Sequence, residues 1–206
     1  MSSSTAPRRG YHHGDLRAGL IREGIALLAE TGLAGFSVAK VAARAGVSSA
    51  APYRHFPDRE ALLAACAAAV IGEFTDVLTE AAERAGPDPV DRLAATAGAY
   101  ARYVLDHRAG IDLVYSHEFS GPHSQTVQEE SRRLTGALMT LVAAVLPEDT
   151  PWADLVDFVY VHLSATHGYA TLRRQSRPRD PDAYAARAAT AARDHLTGYL
   201  ARVRGR

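Results

Sequence analysis

The chain has 206 residues, and its 23 lysine and arginine residues balance 23 aspartate and glutamate residues to give a formal net charge of zero. This neutrality excludes a polycation that coats nucleic acid or an anionic membrane, and a hydrophobic content of 47% excludes disorder over most of the length. The single cysteine excludes an internal disulfide framework and a cysteine-rich zinc site.

Charge is distributed unevenly along the chain. Residues 1–60 contain eight lysines and arginines against five aspartates and glutamates, a net charge of +3, so the remainder carries −3. An anionic partner is therefore expected to contact the first 60 residues. Residues 1–10 are predicted to form a disordered basic arm. The N-terminus has no apolar segment typical of a secretion signal, which favours a cytoplasmic protein.

Alanine, leucine, arginine and glutamate dominate, which predicts an all-α fold of about nine helices. Caps, glycines and prolines place these helices at residues 15–31, 37–44, 48–56, 58–84, 88–106, 111–117, 124–146, 152–175 and 181–203. Ser37, Asp58 and Asp88 are the predicted N-caps of the second, fourth and fifth helices. Gly32 is expected to end the first helix, and Gly46 to end the second by adopting a positive φ.

Residues 37–56 have the form of a helix-turn-helix. Val38, Val41 and Ala42 are expected to face inward on its first helix, and Gly46 to make the turn. Its second helix is predicted to start at a serine cap and to present its N-terminal end to the floor of a DNA major groove. The small or polar residues expected there are Ser48, Ser49, Ala50 and Tyr53.

A proline lies inside the second helix of this motif. If Ser49 is the cap, Pro52 falls in the first turn, where its missing N–H has no intrahelical partner to lose. The helix is therefore predicted to be short and to start late.

Four motifs resemble the DNA-binding domain of the TetR family of transcriptional regulators: YHHGDLR at 11–17, SVAKVA at 37–42, AGVS at 45–48 and APYRHFPDREALL at 51–63. The resemblance implies a three-helix DNA-binding domain at 11–57, joined by a long helix to a ligand-binding and dimerisation domain within 58–206. His167 and Gly168 resemble the His-Gly part of a signature that also contains a tryptophan and marks one subgroup of this family. In this chain, Leu163 stands where that tryptophan is expected.

The resemblance also implies roles for matching residues. Phosphate contacts are expected from Ser37, Tyr53, His55 and Arg59, with Lys40 directed toward the DNA backbone. Ser49, Ala50 and Arg54 are the candidates for base edges, because Arg54 is able to bind guanine bidentately. Arg8 and Arg9 either enter the adjoining minor groove or belong to a solvated tail. Alternatively, Tyr53 completes the core of the small domain, and Arg54 and Arg59 are solvated surface charges.

A single helix-turn-helix offers few contacts, so specific binding to a palindromic operator predicts a homodimer. The last two helices carry apolar stripes that suit a four-helix interface across a two-fold axis. The stripes are Leu155, Val156, Val159, Leu163 and Thr166, and Tyr184, Ala188, Ala191, Ala192, His195, Leu196 and Tyr199. The alternative is that they pack only within the protomer.

Aromatic and polar residues recur on the helices of the second domain and indicate a pocket for a small, largely apolar effector. The predicted ligand-binding residues are Tyr103, His107, Tyr115, Phe119, Phe158, His162 and His167. Each has the alternative of being a core or surface residue. Neither a metal nor a cofactor is expected.

These features predict a ligand-responsive transcriptional repressor that a small effector releases from its operator. The main alternative is a small-molecule carrier or regulator whose helix-turn-helix no longer binds DNA. An enzyme is disfavoured, because the sequence has no His-Glu-x-x-His, no Gly-x-Ser-x-Gly and no phosphate-binding glycine-rich loop.

Overall fold

The computed structural model describes residues 13–107, 123–172 and 178–204. These ranges contain α1 (His13–Gly35), α2 (Val38–Arg44), a 3-10 turn (Pro52–Arg54), α3 (Arg59–Arg84), α4 (Pro89–Asp106), α5 (Gln125–Val145), α6 (Trp152–Leu172) and α7 (Pro181–Arg204). The described ranges contain no strand, and the prediction of an all-α fold is confirmed. The helix predicted at 111–117 lies outside the described residues.

Side-chain caps set the start of four helices. Ser37 Oγ accepts the Lys40 N–H at 3.3 Å before α2, Asp58 accepts the N–H of Ala61 at 2.7 Å before α3, and Asp88 accepts that of Asp91 at 2.9 Å before α4. Asp180 accepts the N–H of Ala183 at 2.9 Å before α7. Each cap satisfies a backbone donor that the first turn of a helix leaves unpaired. The three predicted caps are therefore confirmed.

The first helix runs slightly beyond its predicted end. Residues 33–35 of α1 follow a kink at Gly32, whose φ of 66° and ψ of −176° lie outside the helical region. Gly32 therefore interrupts the helix, as its glycine suggests, but it is not the last residue of α1.

The second helix of the helix-turn-helix is shorter than predicted. Residues 48–51 form a turn closed by the Ala51 N–H on the Ser48 carbonyl at 3.0 Å, and only Pro52–Arg54 are helical, as a 3-10 turn. Neither Ser48 nor Ser49 is the cap, because Ala51 directly precedes the turn. Pro52 has no N–H to donate to Ser48, so an α-helix begun at residue 48 would lack its first bond.

Two hydrophobic cores lie along α3. Its first half contributes Leu62, Leu63 and Ile71 to a core shared with α1 and α2, and its second half contributes Phe74 and Leu78 to a core shared with α4 to α7. Among the described helices, α3 alone is long and apolar enough to cross a membrane, but 61% of that apolar window is buried inside the protein. It is the core helix that joins the two parts of the fold.

Helices α4 and α7 approach each other closely in the C-terminal core. A Cβ at Gly98 of α4 would lie 2.9 Å from the Ala185 carbonyl oxygen and 3.2 Å from Ala189 Cβ, so only glycine allows this approach. Ion pairs between Arg102 and Asp182 and between Arg193 and Asp91 join the same two helices.

This packing corrects part of the predicted dimer interface. Tyr184, Ala188 and Leu196 are 0%, 5% and 1% exposed, because α7 turns them into the core of its own protomer. Val159 and Thr166 of α6 are also buried. The helical period of these stripes was interpreted correctly as an apolar face, but for these five residues the partner is the same chain.

Candidate DNA-binding and effector sites

The helix-turn-helix is built on a small buried framework. Val38, Val41 and Ala42 are 5%, 0% and 1% exposed, as predicted. Gly46 has a φ of 69°, which favours glycine, and the next N–H, that of Val47, donates to the Ala42 carbonyl at 3.0 Å. This turn fixes where the chain leaves α2 and enters the segment at residues 48–54.

The segment after the turn places its side chains in solvent. We define the recognition surface as Ser48, Ser49, Ala50, Tyr53 and Arg54, all of which are exposed. The Tyr53 side chain is 54% exposed, so the alternative that it completes the core is wrong, whereas Phe56 is 3% exposed and does complete it. His55 is half-buried beside Phe56, with ring centroids 6.5 Å apart.

Two predicted phosphate-binding residues also make structural contacts. The Arg59 guanidinium donates to the carbonyl oxygens of Phe36 at 3.3 Å and Leu33 at 3.0 Å, and it lies 5.5 Å from the centroid of the Phe36 ring. Lys40 Nζ donates to the Gly35 carbonyl at 2.9 Å. Arg59 and Lys40 therefore hold the connection between α1 and α2, and their contacts with phosphate stay predictions.

An ion-pair cluster that sequence reasoning missed fixes α2 against α1. Arg44 donates to Glu30 at 2.7 Å and to Glu23 at 3.3 Å, and these hydrogen bonds raise the pKa of its guanidinium. Glu23 and Glu30 are seven residues apart on α1, so two helical turns bring both carboxylates to one side of the helix. That spacing is the signal that could have identified the cluster.

The residues predicted to bind an effector do not line one common pocket. Tyr103 and His107 line a cavity of about 350 Å³ between α1, α3 and the end of α4. His162 lines another of about 180 Å³ between α4, α6 and α7. Phe158 packs edge-on against Tyr199 at 4.9 Å between ring centroids, and His167 is hydrogen-bonded to Tyr100 at 2.6 Å. Tyr115 and Phe119 lie outside the described residues.

His162 is a buried neutral histidine. Its Nε2 lies 3.0 Å from Thr96 Oγ1, whose own proton goes to the Leu93 carbonyl at 2.7 Å, so Nε2 is the donor in this pair. Burial, with a smaller contribution from His195, lowers the pKa of His162 to about 4. Sequence reasoning missed Thr96, which lies one helical turn before Tyr100 on the face of α4 that meets α6.

A groove of about 540 Å³ lies between α5 and α6. Two large aromatic residues of α6 line it, Trp152 and Tyr160, which are 70% and 66% exposed. The opposite wall comes from α5 and includes Arg132, Thr135 and Met139. The contribution of α5 to this groove was not predicted, because the sequence indicated that helix only as a packing helix.

Comparison with known proteins decides the family. Residues 20–66 match the TetR family of bacterial regulatory proteins, and residues 93–194 match the tetracycline repressor-like C-terminal domain. Tetracycline repressor protein class A from transposon 1721 of Escherichia coli is 31% identical over 149 residues, which are 66% of this chain and 68% of that protein. The chain belongs to the TetR family. This TetR regulator combines a helix-turn-helix domain with a ligand-binding domain, as the sequence predicted.

Solved structures share the same architecture. A Rhodococcus sp. RHA1 protein of unknown function has a TM-score of 0.74 and 31% identity, and the similarity covers 92% of this chain and 99% of that one. The transcriptional regulator FadR from Bacillus subtilis, solved with stearoyl-CoA, has a TM-score of 0.67 and 15% identity, with coverage of 87% and 96%. The second likeness shows the fold alone.

Proposed function

We propose that this TetR-family protein is a cytoplasmic repressor without enzymatic activity that binds a palindromic operator as a homodimer and is released by a small, largely apolar effector. Residues 11–57 form its DNA-binding domain, and residues 58–206 form its ligand-binding and dimerisation domain. The observation that carries this proposal is the recognition surface, where Tyr53 and Arg54 project into solvent from a fully packed framework.

The chemistry of the recognition surface suits a major groove. Arg54 offers a guanidinium fork to guanine, Ala50 offers a methyl group to thymine, and Ser49 offers a hydroxyl to either kind of base edge. The phosphate contacts are assigned to Ser37, Lys40, Tyr53, His55 and Arg59.

Dimerisation through the last two helices is supported by large apolar residues of α6 that are exposed in the protomer. Trp152, Tyr160 and Val161 are 70%, 66% and 51% exposed, a concentration of apolar area on one helix that favours a protein interface. On α7, Ala191 and His195 are exposed and remain candidates for the same interface. Analytical ultracentrifugation tests this: Tyr160→Glu is expected to yield monomers, whereas Tyr53→Glu, at a similarly exposed tyrosine, leaves the dimer intact.

Membership of the subgroup with the tryptophan and His-Gly signature remains a proposal. Its support is His167, which accepts or donates a hydrogen bond at 2.6 Å from the hydroxyl of the buried Tyr100 and thereby ties α6 to α4.

A gel-shift titration with the DNA upstream of the protein's own gene tests the function. We expect saturable binding that weakens steeply as salt increases, because counterions are released from the phosphates. A protein that binds neither this DNA nor a selected random-sequence pool would instead be the carrier whose helix-turn-helix no longer binds DNA.

A further inference from the structure

Two carboxylates lie within the DNA-binding domain although its net charge is positive. Glu23 and Glu30 are two of the five acidic residues in residues 1–60. Negative charge on such a domain weakens its attraction to phosphate at every DNA sequence. Both groups therefore need an explanation other than attraction to DNA, and their contacts indicate one.

Both carboxylates are paired with Arg44, the last residue of α2. Arg44 Nη1 donates to Glu30 Oε2 at 2.7 Å, and Arg44 Nε donates to Glu23 Oε2 at 3.3 Å. One guanidinium thus uses two different nitrogens on carboxylates that lie two helical turns apart on α1. These two contacts restrict its position more than a single ion pair would.

Arg44 lies where α2 has little other anchorage. Helix α2 has only seven residues, and its three buried side chains all precede residue 43. Beyond them, Ala45 and Val47 are only partly buried against the same core. The ion pairs of Arg44 therefore hold the C-terminal end of this short helix against α1.

The end of α2 sets the position of the recognition surface. The Gly46 N–H donates to the Ala43 carbonyl at 3.2 Å, and the Val47 N–H donates to the Ala42 carbonyl at 3.0 Å. These bonds join the start of the following segment to the last turn of α2, and Ser48 comes next in the chain. A rotation of that turn is therefore passed on to residues 48–54.

We propose that Arg44 is a positioning residue for base reading, which holds the recognition surface through Glu23 and Glu30 without contacting DNA itself. Hydrogen bonds to base edges need donors placed within about 0.5 Å, whereas general attraction to phosphate carries no sequence information. Loss of the two carboxylates therefore lowers affinity for the operator but not for unrelated DNA. The effect on DNA rests on the proposed function; the effect on the end of α2 does not.

Glu23→Gln combined with Glu30→Gln tests the proposal through the sign of its effect. The double variant loses two negative charges, so electrostatic attraction alone predicts tighter binding to every DNA. Positioning predicts the opposite for the operator, whose affinity is expected to fall about fivefold, the size that loss of exposed ion pairs allows. A random-sequence duplex is expected to bind at least as tightly as it binds the wild type. Fluorescence anisotropy with both duplexes at one salt concentration measures the two affinities.

Glu60→Gln is the matched control. Glu60 is an exposed acidic residue in the first turn of α3 and does not pair with Arg44. Its loss removes negative charge without releasing the end of α2. We expect this variant to bind the operator and the random-sequence duplex at least as tightly as the wild type does.

Amide hydrogen exchange tests the effect on the end of α2 without DNA. In the double variant the Val47 N–H is expected to exchange about fivefold faster, because the end of α2 opens more often. The Ala61 N–H, which Asp58 accepts at 2.7 Å at the start of α3, is expected to keep its wild-type rate. Equal acceleration of both amides would show general destabilisation and would overturn the positioning role.

The proposal is also overturned if the double variant binds the operator as tightly as the wild type or more tightly, or if the Val47 exchange rate is unchanged. Failure of the wild type to bind the operator would contradict the proposed function. In that case Val47 exchange still decides whether Arg44 holds the end of α2.

Discussion

His162 shows how one side chain couples the stability of the C-terminal core to pH. Its ring is 6% exposed, donates to Thr96 on α4 and shares a small cavity with His195 of α7. Protonation would place a charge among Ala97, Ala188 and other apolar groups, which is why burial lowers the pKa. The neutral ring is thus part of the native packing.

The free energy of unfolding is expected to fall as pH is lowered from about 6.5 toward about 4, the ordinary and folded pKa values of His162. Above this window both states hold the neutral ring; within it, the unfolded state binds the proton first, so stability is lost by up to about 1.4 kcal/mol per pH unit. Urea unfolding at several pH values measures this. His162→Gln keeps a donor for Thr96 and is expected to lose this contribution; an identical pH profile in the variant would contradict it.

Arg54 and Arg59 form a matched pair at the DNA-binding end. Both are exposed arginines, but among the described residues only Arg59 of the two donates hydrogen bonds to the backbone of the α1–α2 connection. Arg59→Ala is expected to lower the free energy of unfolding by about 1 kcal/mol, because two hydrogen bonds to backbone carbonyls are lost, one of them part-buried and one exposed. Arg54→Ala is expected to change it by less than about 0.5 kcal/mol. Equal losses in thermal or urea unfolding would show that Arg59 does not hold this connection.

At the scale of elements, the sequence predicts where the helices with side-chain caps begin. It does not predict the length of the helix that contains Pro52. Ser37, Asp58 and Asp88 act locally, so their roles are readable from a few neighbouring residues. Pro52 changes the hydrogen bonding of the turn around it, and the outcome also depends on how Phe56 packs. A local pattern therefore predicted the helix-turn-helix but not the shortness of its second helix.

The contact between α4 and α7 gives the clearest prediction for an element. Gly98→Ala is expected to destabilise the protein by about 1–3 kcal/mol, because its Cβ would lie 2.9 Å from the Ala185 carbonyl and force the helices apart. Gly136→Ala is the control: it lies within α5 with no atom within 4 Å of an added Cβ, and it is expected to stabilise by about 0.5–1 kcal/mol. A stable Gly98→Ala protein would mean that α7 is free to shift.

At the scale of the whole molecule, α3 joins a basic DNA-binding end to an acidic sensor. Apolar periodicity identified the apolar faces of the helices, yet it gave no means of deciding whether the faces of α6 and α7 meet α4 or a second protomer, since either partner offers an apolar surface. The same limit applies to the predicted effector residues: Tyr103 and His162 are both aromatic residues with a polar group, but they line separate cavities. Residue type predicts what a side chain is able to do, and tertiary packing decides where it does so.

Sequence-specific DNA binding through the recognition surface is tested most directly by fluorescence anisotropy with the operator defined by footprinting upstream of the gene. Arg54→Ala is expected to weaken operator binding about tenfold and to relax the preference at one base pair in each half-site, as loss of a bidentate base contact requires. Arg84→Ala, at the far end of α3, is expected to bind like the wild type. If Arg54→Ala kept both the affinity and the base preference of the wild type, the recognition surface would not read DNA as described.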